Sequence, residues 1–437
     1  MVRFDIPEQI QTVLSCLRGA GFRAVPVGGC VRDLLLGTPP NDWDITTSAT
    51  PDEMLTVFKS FRTLEIGQSG VKHGTVTVIL DHVPIEVTTF RQDGIYSDGR
   101  RPDNVQFSRA LEDDLARRDF TINALCLEET GGIIDLYGGR RDLQQKLIRA
   151  IGVPDRRFQE DALRILRALR FAAVLGFEIE PQTAASMRRH IGLLAALSAE
   201  RVRAELEKLL CAPDCTRVLL EYQAIFFAII PELRPMPGMA HLYTHAVRAA
   251  GAAPAQVPVR MALLLHDLAG PLYADGRRRA AQSAKLAEGI LRRLKFGNNA
   301  RAQILFLVQH CGLPLGDMDR IQIKRLLSKH GFAAMRNLLA LQRADILAGE
   351  TDIAEERLVH VRQAEGVVQS IAAQQLPLTR GELAVSGRAL IAMGVQPGPQ
   401  IGVLLDLLLQ RVLEEELPNE PAALLNYAAD WLNTGSG

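Results

Sequence analysis

Strand-forming sequence in this chain stops near residue 155, and the rest of its 437 residues is patterned for helix. That switch limits the fold to a mixed head followed by a helical body. In the head, Thr75–Leu80 (T-V-T-V-I-L) and Pro84–Phe90 (P-I-E-V-T-T-F) are rich in β-branched residues. They predict two strands, and Asp81-His82-Val83 between them predicts a hairpin. Ile10–Leu17 has the spacing of an amphipathic helix, and Ala24–Val27 predicts a short strand entering Gly28-Gly29. Val31–Leu36 restarts a helix that Gly37 and Pro39-Pro40 end. Gln92–Pro102, with its glycines, proline and charges, predicts a mobile loop. Beyond residue 155, Asp161–Leu175, Ala199–Cys211, Arg260–Leu268, Ser283–Leu294, Ala302–Gln309 and Val403–Glu416 all carry helical spacing. No fixed-period repeat interrupts them.

Composition is that of an ordinary globular protein of several domains, which excludes disorder, collagen-like fibres and disulfide scaffolds. The N-terminus carries Arg3, Asp5 and Glu8 and lacks an apolar core, so a secretory leader is not expected. Apolar runs such as Ala224–Ile230 are too short to span a membrane. The six scattered cysteines form no zinc-binding set and read as buried free thiols of a reducing cytoplasm. Basic and acidic residues balance at 50 each, yet unevenly along the chain. Arg140–Arg170 carries a local +5, Arg260–Arg301 +6 and Gly402–Gly437 −5. A solvated helix face accounts for any one such run, but the +6 zone is also a candidate contact for RNA phosphates.

Chemistry concentrates in Gly28–Thr47, G-G-C-V-R-D-L-L-L-G-T-P-P-N-D-W-D-I-T-T. Gly28 and Gly29, after a strand and ahead of a helix, can let backbone N–H groups cradle an anion such as phosphate. Arg32 can add a cation there or pair with Asp33. In extended chain Asp42 and Asp44 face one way, and two such carboxylates suit a divalent cation. Glu86, in the adjacent strand run, has the character of a third ligand. Nucleotidyl transfer uses such a metal pair to activate a hydroxyl and stabilise leaving pyrophosphate.

Two further clusters follow. In L-A-R-R-D-F-T-I-N-A-L (Leu115–Leu125), Arg117 and Arg118 can meet phosphate or sugar and Asp119 a ribose hydroxyl. Asn123, four residues on, would share Asp119's face on a helix; a capped helix start with a local Arg–Asp pair is the alternative. In E-D-A-L-R-I-L-R-A-L-R-F (Glu160–Phe171), Asp161, Arg164, Arg167 and Arg170 recur every three positions as one helical stripe. Their flat donor and acceptor patterns suit a base edge and a triphosphate.

These segments, with E-R-V-R-A-E-L-E-K-L-L (Glu200–Leu210), resemble in order and spacing the class II tRNA nucleotidyltransferases, which include CCA-adding enzymes and bacterial poly(A) polymerases. The resemblance implies an α+β fold, with a polymerase-β-like head holding a mixed sheet and then an all-α neck, body and tail. The corresponding divisions are 1–150, 151–215, 216–350 and 351–437. It implies Mg²⁺ on Asp42 and Asp44, with Glu86 as a third carboxylate, and Gly28, Gly29 and Arg32 at the nucleotide. Arg118 would contact phosphates, Asp119 the ribose, Asn123 the nucleotide, and Asp161 and Arg164 the base of CTP or ATP in place of a template. Arg167 and Arg170 fall at further nucleotide-binding positions. The implied partners are tRNA, CTP and ATP.

Thr88–Phe107 looks like the flexible loop of CCA-adding and A-adding enzymes, which disfavours an enzyme adding only cytidines. Glu65–Val78 looks more like the tRNA enzymes than the poly(A) polymerases. Full CCA addition and A-addition alone both fit, and a non-catalytic RNA-binding protein is the reading from another class. In the helical body, His241 or His245, His266-Asp267, His310 and Asp345 are similar to the HD phosphohydrolase pattern. The copy departs from it at Ala269-Gly270 and at Arg277–Lys285 (R-R-R-A-A-Q-S-A-K), so a degenerate, structural HD-like region is expected.

Overall fold

The hairpin forms as its sequence dictates. In the computed structural model, Asp81 and His82 take φ of 49° and 65°, the left-handed pair that a tight two-residue turn requires. The structure describes residues 4–64, 74–94, 105–235, 239–270, 276–349 and 354–433. The flexible-loop segment at 95–104 and most of Glu65–Val78 therefore lie outside the described residues.

Five strands make the main sheet: β1 (Ala24–Pro26), β2 (Asp44–Thr47), β3 (Arg62–Leu64), β4 (Thr75–Leu80) and β5 (Val83–Thr89), in the order β1-β2-β5-β4-β3. It is a mixed sheet, with β2 parallel to β5 and the other neighbours antiparallel. The register sets Asp44 opposite Glu86, so the first residue of β2 meets the strand that carries the third predicted carboxylate. One face is covered by α1 (Glu8–Gly19), whose Ile10, Val13, Leu14 and Leu17 follow helical spacing and are all buried. They pack with Ile45, Met54, Phe58, Val76, Val78, Ile85 and Val87. Each such side chain contributes roughly 1.5–3 kcal/mol by leaving water, which anchors the strands that present the carboxylates.

Helix α2 (Gly29–Leu35) follows β1, and α3 (Pro51–Val57) follows β2 through a Thr50/Glu53 capping box. After the short pair β6 (Arg91–Asp93) and β7 (Val105–Phe107) comes α4 (Leu111–Ala116). The hairpin β8 (Leu125–Leu127) and β9 (Ile133–Asp135) meets β1 through a bridge between Val27 and Cys126. A second apolar cluster under it joins Val25, Val27, Phe90, Leu111, Leu115 and Ile151. Helix α5 (Gly139–Gln145) then leads to β10 (Leu147–Ile148).

The predicted helix Asp161–Leu175 starts two residues later than expected. Helix α6 (Pro154–Glu160) ends before it, Asp161 is extended at φ −147°, and α7 runs Leu163–Leu175. The extended residue puts its carboxylate where it accepts from the Leu163 N–H at 3.0 Å, the role of a capping residue. Strand β11 (Glu178–Ile179) pairs in parallel with β10, a short strand element past residue 155 that the sequence pattern did not predict. Helices α8 (Pro181–Arg189), α9 (Ala199–Leu210), α10 (Cys215–Glu221) and α11 (Gln223–Ile229) complete a compact unit ending at Pro231.

The second unit, Glu232–Gly437, is helical: α12 (Ala240–Ala252), α13 (Val257–Leu265), α14 (Gly276–Arg293), α15 (Asn298–His310), α16 (Arg320–Ala348), α17 (Ala354–Ala373), α18 (Gly387–Ala392), α19 (Pro399–Leu413) and α20 (Pro421–Asn433). Gly331, at φ 78°, kinks α16. Helices α12, α13, α15 and α17 pack against α16 or one another around it. The acidic run near the end is not a free tail. Glu414 pairs with Arg325 at 2.5 Å and Glu415 with Lys324 at 2.6 Å, both cations on α16. Arg260, counted in the +6 zone, is buried with its guanidinium on the carbonyls of Ala253 and Pro254, so it is no phosphate contact. All six cysteines are free thiols; Cys30, Cys126 and Cys215 are buried, and Cys16, Cys211 and Cys311 only partly so. Among the described residues no helix is long and apolar enough to cross a membrane.

Candidate active site

Within the first unit a cavity of about 440 Å³ opens at the ends of β1 and β2. Gly28, Gly29, Arg32, Asp44, Arg118, Asp119, Asn123, Asp161, Arg164 and Arg167 all line it, although they come from four separate segments of sequence. The sheet register brings Glu86 beside Asp44. Asp42 stands two residues before Asp44 at the exposed entry to the strand.

The glycine turn is built differently from a simple anion cradle. Gly28 adopts φ 83°, and its N–H donates to the Leu125 carbonyl at 3.0 Å, so that amide is already used. A Cβ at Gly28 would lie 2.8 Å from Nη1 of Arg118. Position 28 thus needs glycine for its backbone and for its neighbour. Gly29 opens α2 and lines the cavity. Arg32 pairs with Asp33 at 2.7 Å, one of the two roles expected of it, lines the cavity, and also donates to Oδ1 of Asn123 at 2.8 Å.

Asp119 and Asn123 meet, but not on an α-helix. Thr121–Asn123 is a single 3₁₀ turn, and Asn123 Nδ2 donates to Asp119 Oδ1 at 3.1 Å. Oδ1 also accepts the Phe120 N–H at 2.8 Å, while Arg167 donates to Oδ2 at 2.7 Å. Burial alone would raise the Asp119 carboxyl, but the Arg167 charge and these donors prevail and hold it down, at about 2. Asn123 therefore links Arg32 to Asp119, and Asp119 links α7 to the head.

The carboxylates of the sheet behave in the opposite way. Desolvation raises the Asp44 carboxyl, and the Asp42 charge adds to this against Arg118 and Arg167. Glu86 is raised by desolvation and by the charges of Asp44 and Asp42. Three carboxylates in one corner without enough positive charge form a donor set suited to a hard divalent cation, which takes oxygen ligands. The ligand oxygens of Asp42, Asp44 and Glu86 do not all converge within 4.8 Å; among the described residues the group that does is His245, His266 and Asp345.

Asp114, Arg201 and Phe171, outside the predicted set, also shape the site. Asp114, fully buried on α4, accepts from Arg117 at 2.5 Å and Arg118 at 3.3 Å and so fixes the arginine pair. The i+3 and i+4 spacing in D-D-L-A-R-R could have disclosed it. Arg201 of α9 reaches Asp161 at 2.7 Å, from forty residues away, and lines the cavity. Arg164 donates to Glu160 at 2.6 Å and to the carbonyls of Arg157 and Arg117 at 3.0 Å each. Phe171 lines the cavity with Arg32, Arg167 and Arg170 at 5.3, 5.4 and 4.0 Å from its ring centre. Arg170 is the stripe residue that does not line the cavity. It pairs with buried Glu205 at 2.6 Å, behind the ring.

Of the HD-like set, the second unit brings together His245, His266 and Asp345. His241 is exposed and outside the group, His310 packs on Phe306 and His330, and Asp267 faces Arg279 at 3.4 Å.

Comparison with known proteins agrees with this architecture. Residues 24–149 match the family model described as the poly A polymerase head domain. Residues 176–236 match the probable RNA- and SrmB-binding site of polymerase A, and 280–428 the putative domain 2 of tRNA nucleotidyltransferases. The CCA-adding enzyme of Levilactobacillus brevis is 38% identical over 439 residues, covering 97% of this chain and 98% of that protein. That of Lactiplantibacillus plantarum is 37% identical over 441 residues, covering 98% of both. The crystal structure of the Bacillus stearothermophilus CCA-adding enzyme in complex with CTP superposes with a TM-score of 0.67 at 30% identity, covering 99% of each chain. With relatives matching it end to end in sequence and in fold, the chain belongs to the CCA-adding enzyme family.

Proposed function

We propose that this protein is a template-independent RNA nucleotidyltransferase that adds CCA to tRNA 3′ ends from CTP and ATP with Mg²⁺. The observation that carries the reading is the juxtaposition of an under-neutralised carboxylate corner with an arginine-lined cavity of nucleotide size. Asp42, Asp44 and Glu86 are the ligands we assign to the ion. When bound, it supplies positive charge to the reacting phosphate and lowers the pKa of the attacking hydroxyl.

The chain's own residues do the rest. The opening N–H groups of α2 at Gly29, with Arg32 and Arg118, neutralise the triphosphate, while the turn at Gly28 keeps Arg118 close. Asp119 and Asn123 offer their remaining acceptor and donor capacity to the ribose. Asp161 and Arg164 present an acceptor and donors side by side to a base edge, since protein bonds occupy only part of each. Phe171, banked by Arg167 and Arg170, closes the wall and limits water. The tRNA 3′ hydroxyl then attacks the α-phosphorus in line, and pyrophosphate leaves. We assign 1–150 as catalytic head, 151–215 as neck, 216–350 as body and 351–437 as tail, and place the enzyme in the cytoplasm with its tRNA.

The test offers tRNAs ending before CCA, after C and after CC, each with CTP, ATP or both. Full CCA addition extends all three to the same end. Extension of the CC-ended tRNA alone, by ATP alone, would establish an A-adding enzyme instead. Long homopolymer tails would establish a poly(A) polymerase, and no incorporation would leave an RNA-binding protein.

A further inference from the structure

Asp114, on α4, is a fully buried carboxylate of the head, outside the residues assigned to nucleotide or cation. Its Oδ1 accepts from Nε of Arg117 at 2.9 Å. Its Oδ2 accepts from Nη2 of Arg118 at 3.3 Å and from the Thr46 hydroxyl at 3.1 Å. Burial alone would raise the Asp114 carboxyl, but the charges of Arg117 and Arg118 hold it down, so it stays an anion. Thr46 stands two residues after Asp44 on β2, and Thr88, its partner in register, two after Glu86 on β5. Alternation along the strand puts Thr46 on Asp44's side of the sheet. Asp114 is thereby fastened to the strand that opens with Asp44, one pleat repeat further along.

Arg118 stands near both carboxylates. A Cβ at Gly28 would lie 2.8 Å from its Nη1 and 3.9 Å from Oδ2 of Asp44, so guanidinium and carboxylate flank the notch that glycine leaves. Among the described residues no ion pair joins the two, and Arg118 pairs with Asp114 instead. Nε of Arg118 is buried without an acceptor among the described residues, and the bonds that hold the guanidinium are made by its two terminal nitrogens. A guanidinium in such a place, deprived of its counter-ion, turns to the next carboxylate, because an unpaired buried charge is costly. Across the notch that carboxylate is Asp44. An arginine there would compete for the oxygens a divalent ion needs, and would leave the position from which it meets phosphate.

We propose that Asp114 is a positioning residue that holds Arg118 off Asp44, keeping the arginine for the triphosphate and the carboxylate for the cation. This rests on the nucleotidyltransferase reading and deepens it, naming the group that stops the site's two charged parts from neutralising each other.

The test reads cation binding without substrate. Tb³⁺ is a hard cation that takes oxygen ligands, and its emission is sensitised by a nearby tryptophan; Trp43 lies between Asp42 and Asp44. In the full chain carrying Trp431→Phe, tryptophan-selective excitation therefore reports the head. Asp114→Asn should weaken Tb³⁺ binding about fivefold, with circular dichroism confirming its fold. Arg118→Gln should change binding little in the parent chain, yet recover most of the loss in the Asp114→Asn chain. Equal effects of Arg118→Gln in the two backgrounds would reveal a general charge effect and overturn the proposal. An unchanged titration for Asp114→Asn would overturn it too, as would an equal loss in Glu112→Gln, an exposed position on the same helix. Absence of sensitised emission from the parent chain would remove the cation from Asp44 and the proposal with it. Should Asp114→Asn not fold, Thr46→Val decides. It keeps the carboxylate but removes its tether to β2, and should weaken Tb³⁺ binding about twofold; no change overturns the proposal. In incorporation assays, the Mg²⁺ concentration for half-maximal rate should rise in parallel with the Tb³⁺ loss, and an unmoved requirement counts against the proposal. A wild-type chain that incorporates neither CTP nor ATP would refute the nucleotidyltransferase reading, whereas the Tb³⁺ cycle judges Asp114 by itself.

Discussion

Replacing Asp119 with Asn should destabilise the N-terminal unit by about 2 kcal/mol at neutral pH, because the carboxylate links α7 to the head. Its carboxyl is held at about 2 against an ordinary 3.8. At roughly 1.4 kcal/mol per pKa unit this is between about 2 and 3 kcal/mol, trimmed by solvent screening at the partly exposed Arg167. The sign follows from the depressed value. The contribution is fully present above the unfolded pKa and is lost as pH falls through the folded one. The difference between wild type and variant should therefore hold from pH 7 to about 5 and fall to about half near pH 3. The chain has two tryptophans, Trp43 beside the head core and Trp431 in the second unit. In a Trp431→Phe background, urea unfolding followed by Trp43 fluorescence reports the head alone. A difference below about 0.5 kcal/mol at pH 7, within the range of an ordinary surface substitution, or one that grows on acidification, refutes the argument.

Other substitutions test the remaining parts of the site. Asp44→Ala should reduce nucleotide incorporation by at least about a thousandfold, of order 4 kcal/mol in the barrier, with an unchanged unfolding curve; retained turnover would remove it from the metal corner. Phe171→Leu keeps the wall apolar but removes the ring that three guanidinium groups approach, and should weaken CTP binding about fivefold, near 1 kcal/mol, by calorimetry. Arg201→Met should leave KM for total triphosphate within about twofold while eroding the choice between CTP and ATP, because it frees Asp161 to turn; unchanged selectivity in primer-extension competition would show that Asp161 needs no such anchor. Glu205→Gln removes the partner of Arg170 in a buried pair and should lower the stability of the N-terminal unit by about 3 kcal/mol, read by urea unfolding followed by circular dichroism.

Much of the site was legible because its chemistry is written in short range. Asp42 lies in a bend two residues before Asp44 opens its strand, close enough in sequence to be read together, and glycines before a helix announce a close approach. The parts that escaped depend on distant partners. Asp161 sits among strong helix formers, and nothing local breaks the helix there; its carboxylate is satisfied by Leu163 N–H and by Arg201, which no periodicity connects to it. Arg170 keeps the three-residue rhythm of its stripe, but at that spacing the stripe winds about the helix until its last member reaches Glu205. The acidic residues near the C-terminus looked like a solvated run because their cations, Lys324 and Arg325, lie some ninety residues earlier.

The crowding at Gly28 affects how any mutational scan of this protein should be read. Alanine is the customary neutral probe, yet here it adds both a disfavoured torsion and an atom 2.8 Å from the Arg118 guanidinium. Lost activity in Gly28→Ala would pass for evidence that residue 28 grips phosphate, although its own amide is committed to Leu125. The defect would belong to a displaced arginine ninety positions away. Gly28→Ala combined with Arg118→Lys, whose slimmer head vacates that space, separates the two accounts: partial recovery assigns the loss to steric displacement.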